Sequence, residues 1–186
     1  MIRTSKAIIL FLLGLILLSA VGCSNPDDLG VALKVPKISV ISSSIDASGT
    51  LKNEVIADRG PNNPKGENQS PHLAWDSVNG AKYYAVCMYD ETASWLHWLV
   101  WDVNEPHLEQ GAYTDAADYM GPYPPANSGK HNYRIEVFAL KDAPDSVVFK
   151  LDSRCSYSDI IKSLNRANNA DANIIARGYV MGKYGN

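Results

Sequence analysis

The chain has 186 residues, a formal charge of −3 and 46% hydrophobic residues. That length holds one domain with a sizeable core. No Lys/Arg run or basic stripe marks a nucleic-acid surface, and the sequence shows no internal repeat or low-complexity tract.

The first 23 residues read as an address. Arg3 and Lys6 form a positive start, Ala7 to Leu18 is apolar apart from Gly14, and Ser19-Ala20-Val21-Gly22-Cys23 closes the run with small residues and a cysteine. Such a segment is too short and wrongly flanked for a spanning helix and fits a secretory signal. Its end resembles a bacterial lipobox, in which Cys23 is lipidated and becomes the mature N-terminus, although Ala20 stands where Leu is commonest. Cleavage removes Arg3 and Lys6, so the formal charge becomes −5 over 164 residues. The expected organisation is a signal peptide over 1–22, a lipidated N-terminus and tether over 23–37, and one domain over 38–186. The tether reading rests on Pro26, Asp27, Asp28, Gly30 and Pro36.

Ile38 to Ile41 begins a β-like region, and Ala47-Ser48-Gly49 reads as a turn. Residues 59–70 hold three Asn, two Gly and two Pro and read as a loop. Tyr83 to Tyr89 is a mostly apolar run that suits a buried strand, and Trp95 to Val103 is a second, with three tryptophans. Residues 104–130 carry four prolines and three glycines with little periodicity. A loop that long in a compact domain is functional or disordered, and Gly121-Pro122-Tyr123-Pro124-Pro125 is too stiff for a flexible linker. It is a candidate wall for a site. Tyr133 to Leu140 alternates with period two. Ser156 with Asp159 reads as a helix start, followed by Ile160, Ile161, Leu164 and Ala167 at helical spacing. Ile174 to Tyr184 closes the chain as a strand. The balance predicts a mainly β, Greek-key-like sandwich with one or more peripheral helices. Cys87 and Cys155 can pair or stay free; Cys87, inside an apolar run, is expected buried and unpaired.

Four segments together resemble one family. Asn68-Gln69-Ser70-Pro71-His72-Leu73-Ala74-Trp75 is similar to its N-x-S-P-x-L-x-W segment. Tyr89-Asp90-Glu91-Thr92-Ala93 resembles its D-x-D-A-P turn, and His97-Trp98 its H-W strand. Gly121-Pro122-Tyr123-Pro124-Pro125 with His131-Asn132-Tyr133 is similar to G-P-x-P-P…H-R-Y, and Tyr179 to Tyr184 to the closing G-x-Y strand. This is the phosphatidylethanolamine-binding protein family, in its bacterial Raf-kinase-inhibitor-like branch. The resemblance implies a β-sandwich with a small anion pocket, in which Asp90, His97, Gly121, Pro122, His131 and Tyr133 bind the ligand. Thr92 stands for the turn's second Asp, Ser94 for Pro, Asn132 for Arg, and Tyr123 for a frequent Cys. The pocket is thus expected to lose a carboxylate and a neighbouring cation.

The residues also carry a chemistry of their own. If their strands are neighbours, Asp90 can hydrogen-bond His97, fix its tautomer and raise its pKa. A partly protonated His97, His131 and the Tyr133 hydroxyl would then offer donors to a phosphate or carboxylate. Asp90 itself repels an anion and suits a zwitterion or a supporting place behind His97. An isolated His or Tyr in a strand is more often structural, so the clustering carries this reading; the four tryptophans suit core or rim. Neither the His nor the Cys spacing is that of a metal site, and no nucleophile elbow or P-loop is present. The expectation is a non-enzymatic, lipid-anchored binding protein of the bacterial cell envelope, extracytoplasmic, without cofactor, holding a small anionic or phosphate-bearing ligand. The alternatives are a regulator that inhibits an envelope enzyme through a protein partner and, last, a weak hydrolase acting through Asp90 and His97 on water.

Overall fold

The structure is a computed structural model that describes residues 29–59 and 66–186; the signal segment, Cys23 and residues 60–65 lie outside the described residues. The long apolar runs become strands because each can bury two faces. Among the described residues, strands β1 (Val40–Ile41), β2 (Leu73–Trp75), β3 (Tyr83–Asp90), β4 (Trp95–Val103), β5 (His107–Leu108), β6 (His131–Leu140), β7 (Ser153–Arg154) and β8 (Ile174–Tyr184) are joined by one α-helix, α1 (Tyr157–Leu164). They form a three-stranded sheet in the order β1-β2-β5 and a five-stranded sheet in the order β7-β4-β3-β6-β8, and every pair is antiparallel.

The large sheet is covered on both sides. On one face Tyr84, Val86, Met88, Tyr133, Ile135 and Val137 pack with Leu73 and Trp75 of the small sheet. On the other, Ala85, Cys87, Tyr89, Phe138 and Leu140 pack against Tyr157, Ile160, Ile161 and Leu164 of α1. Burial of each large side chain is worth roughly 1.5–3 kcal/mol, and two wet faces would forfeit half of that. Double coverage is also why β3 reads as a continuous apolar run instead of an alternation. From Leu29 onward the segment expected as a tether lays Leu29, Val31, Leu33 and Val35 against this second core.

Helix α1 starts where expected, but Ser156 makes no side-chain cap bond to the backbone and its Oγ meets Ser158 Oγ at 2.7 Å. The helix stops at Leu164, short of the expected Ala167, because Asn165 turns the chain toward β8 and its Oδ1 accepts the Ile174 N–H at 2.9 Å. Cys87 is buried and Cys155 half-buried, both as free thiols. Among the described residues no helix is long and apolar enough to cross a membrane.

Candidate functional site

At one end of the large sheet, the last residue of β3 meets the first residues of β4 and β6. Asp90 is in register with Trp95 on one side and Tyr133 on the other. Tyr133 and His131 lie two apart on β6 and so share a face; their rings stack at 6.3 Å and 22°. His97 reaches the same space by an irregularity. Tyr89 pairs with Leu96 and Met88 with Trp98, so His97 is an extra residue in β4. A β-bulge of this kind re-aims a side chain. It lets Trp95 and His97 face the site while the neighbouring Trp98 is fully buried in the core between the sheets.

These residues line a cavity of about 310 Å³ with Ala93, Tyr123, Pro124, Pro125, Ser128 and Arg154. The Pro-rich loop does form a wall, through Tyr123 to Pro125. Gly121 and Pro122 stand behind it and are not among the lining residues. A Cβ on Gly121 would fall 2.4 Å from the Val55 carbonyl oxygen and 2.5 Å from the Ala57 nitrogen, so only glycine lets the backbones meet there. Pro122 O accepts the Ala57 N–H at 3.2 Å, and Asn68 Oδ1 accepts the Gly121 N–H at 2.9 Å. Asn68 Nδ2 also donates to the carbonyls of Thr114 and Tyr119. The Asn68 segment is thus a clamp for the wall.

The expected Asp90–His97 hydrogen bond is not formed. Asp90 Oδ2 instead accepts from His131 Nδ1 at 2.6 Å, with both side chains buried. Asp90 Oδ1 accepts the backbone N–H groups of Thr92 and Ala93 at 2.8 and 3.0 Å. His97 is held by Met120: its Nδ1 donates to the Met120 carbonyl at 2.8 Å, and the Met120 N–H donates to the His97 carbonyl at 2.9 Å. The pKa of His97 moves down, against expectation. Burial disfavours the imidazolium and outweighs the Met120 carbonyl and the charge of Asp90. His97 is therefore a neutral ring with its hydrogen on Nδ1, which leaves Nε2 as an acceptor.

Tyr133 is fully buried and lines the cavity, and its hydroxyl makes no hydrogen bond of ordinary geometry among the described residues, with the Asp90 carboxylate as its nearest acting neighbour. Burial, then Asp90, pushes its pKa up, so it stays a neutral donor. His131 Nε2 lies 3.0 Å from Ser128 Oγ, whose hydroxyl donates to the Pro125 carbonyl at 2.7 Å. At the rim, Trp95 Nε1 donates to Asp152 Oδ1 at 3.2 Å, Arg59 pairs with Asp152 Oδ2 at 3.0 Å, and the Arg59 guanidinium sits 5.3 Å from the Tyr123 ring centroid.

Of the sequence departures, Tyr123 changes the wall. Thr92 and Asn132 do not: both are exposed, neither lines the cavity, and Thr92 Oγ1 accepts the Asn132 N–H at 3.0 Å. Neither position therefore contributes to the cavity lining. Sequence reasoning missed Ala93, Ser128 and Arg154 and placed Trp95 only as core or rim. Arg154 had no local signal, since it arrives on a two-residue strand, paired with Trp95. His107 lies exposed on β5, outside the cavity. Among the described residues no three His, Cys, Asp or Glu side chains group as metal ligands.

Comparison with known proteins agrees with this architecture. A family description, phosphatidylethanolamine-binding protein, matches residues 41–183. A UPF0098 protein of Methanothermobacter thermautotrophicus is 32% identical over 120 residues, 53% of this chain and 75% of that protein. A Mycobacterium tuberculosis protein named provisionally as the lipoprotein LppC is 27% identical over 129 residues, 57% of this chain and 64% of its own length. The crystal structure of Escherichia coli YbcL, described as a member of the mammalian PEBP family, superposes with a TM-score of 0.61 at 24% identity, covering 81% of this chain and 99% of that one. That likeness shows the mainly β fold. The matched span holds every residue lining the cavity and all of both sheets except the end residues Val40 and Tyr184, and the chain belongs to the phosphatidylethanolamine-binding protein family.

Proposed function

We propose that this chain is a non-enzymatic binding protein whose cavity takes a small phosphate-bearing or similar anionic group, held at a membrane of the bacterial cell envelope by lipid on Cys23. The observation that carries the pocket reading is the Tyr133 hydroxyl, buried in a cavity wall without a well-formed hydrogen bond. A buried donor left unsatisfied costs about 1–3 kcal/mol, and a ligand acceptor recovers it. Arg154 at the rim supplies a permanent positive charge. Asp90 and His131, tied to each other, hold the strand ends in place. The hydrolase alternative through an Asp90–His97 pair is not part of this reading, because the two side chains are not bonded: His97 holds Met120 and Asp90 holds His131. The anchor rests on the lipobox-like sequence and on the name of the LppC relative.

A ligand of few atoms, half open to water, binds weakly, with a dissociation constant on the order of millimolar. An NMR titration of the chain with phosphate and phosphoethanolamine tests the reading. Resonances of His97, His131 and Tyr133 should shift together, and His97→Ala should weaken binding more than His107→Ala. Shifts confined to His107 would place the anion elsewhere and end the pocket assignment.

A further inference from the structure

Two extended segments close the layer on the α1 side of the large sheet. Residues 29–35 turn Leu29, Val31, Leu33 and Val35 onto the core there. Two backbone hydrogen bonds lie within that stretch, from the Leu33 N–H to the Val31 carbonyl and from the Val35 N–H to the Leu33 carbonyl. The Ile38 N–H then bonds the Arg177 carbonyl at 2.9 Å, which fixes the end of the stretch on β8. The second segment lies beside α1. Its Asp145 N–H donates to the Arg166 carbonyl, and the Ser163 hydroxyl donates to its Ser146 carbonyl. Val147, Phe149 and Leu151 pack inward, whereas Val148 is 85% exposed and Lys150 stands open beside it. Among the described large hydrophobics only Ile41 is comparably open, at 61%, and it belongs to the small sheet on the other side of the molecule. Lys34 is exposed on the first segment, and the acids Asp145 and Asp159 are paired with Arg166 and Lys162.

Five residues separate Cys23 from Leu29. Even fully stretched, they keep an acylated Cys23 within about 20 Å of Leu29. A domain of this size is roughly 40 Å across, so the lipid cannot pass round to the small sheet. We propose that the α1 side of the domain, with Val148 and Lys150 foremost, rests against the bilayer surface while the small sheet faces away. The inference rests on the Cys23 anchor reading and adds the face that meets the lipid. An apolar side chain flanked by lysines suits that interface: the valine leaves water and the ammonium groups meet anionic head groups. Residues 29–35 are then a spacer fastened to the protein, not a free tether, and the domain cannot turn over on its anchor.

The test places the lipidated chain in vesicles of phosphatidylethanolamine and phosphatidylglycerol. Val148→Cys and Ile41→Cys, each in a Cys155→Ser background, carry a nitroxide label, since Cys87 is buried and the lipid blocks Cys23. Both labelled positions are exposed, so neither change disturbs the core. The label at position 148 should become severalfold less accessible to a water-soluble nickel chelate and more accessible to oxygen, which concentrates in lipid. The label at position 41 should stay as open to the chelate as it is without vesicles. Lipid labelling of Cys23 is read on the same samples. A label at position 41 shielded as much as the one at 148 overturns the inference and leaves the anchor reading standing. So do two labels that both stay open to the chelate on a chain whose Cys23 is lipidated. If Cys23 carries no lipid, the anchor reading fails and the inference falls with it.

Discussion

Asp90 divides its two oxygens between neighbours: Oδ1 caps the turn to β4 through Thr92 and Ala93, and Oδ2 holds His131. His97 is left to the Met120 backbone, and burial lowers its pKa from the ordinary 6.5. The sign of the consequence is fixed. A histidine whose folded pKa is depressed stabilises the fold fully above its unfolded value, and that contribution is lost as pH falls through the folded one. NMR of the imidazole nitrogens should show His97 titrating below 6.5. Acidification from there should also lower the denaturation midpoint of the wild type more than that of His97→Gln. A His97 midpoint above 6.5 would mean that Asp90 governs it after all. The sequence grouped Asp90, His97, His131 and Tyr133, which line one cavity, but did not show their pairing. A strict two-residue period hides the bulge at His97, and only the register Tyr89–Leu96 and Met88–Trp98 reveals it.

At the scale of elements, α1 is fastened to the sheet by more than apolar contact. The Tyr157 hydroxyl donates to Glu136 of β6 in a short hydrogen bond. Burial pushes the Glu136 carboxyl up to about 7, while Tyr157 and Arg134 pull it back. Arg134 bonds Glu91 at 2.5 Å and lies 3.8 Å from the Tyr179 ring centroid, and Arg177 approaches Glu136 at 3.6 Å. Removing one partner of a buried bond to an ionisable group costs about 1.5–3 kcal/mol. Tyr157→Phe should therefore lower the urea midpoint at unchanged slope, with phosphate binding intact because Tyr157 lies on the opposite face of the sheet from Tyr133. A changed slope would instead signal a loosened helix. Strands β3, β4, β6 and β8 and the start of α1 were legible because each repeats its pattern often enough to be recognised. Strands β2, β5 and β7, of two or three residues, contain too few repeats, and tertiary pairing alone defines them.

For the whole molecule, a doubly covered sheet places the cavity at its end, where three strands and one Pro-rich loop converge. The loop was legible as a wall from its prolines, whereas the role of Gly121 as a backbone contact was not, since nothing local distinguishes a binding glycine from a packed one. Anchoring belongs to this scale too. Cys23→Ala should abolish lipid labelling and shift the chain out of the membrane fraction, because stable attachment needs more than one acyl chain; undiminished labelling would remove Cys23 from the account. The central claim is that the buried Tyr133 hydroxyl is reserved for a ligand, and Tyr133→Phe measures it directly by reading stability and phosphate affinity on the same variant. A hydroxyl that makes no well-formed hydrogen bond in the protein and faces the Asp90 carboxylate costs the fold little to remove, whereas a hydrogen bond to an anion is worth about 1.5–3 kcal/mol. The account predicts an unchanged or slightly raised unfolding free energy, with phosphate binding weakened roughly ten- to hundredfold. A destabilised variant that binds phosphate as well as the wild type would contradict it.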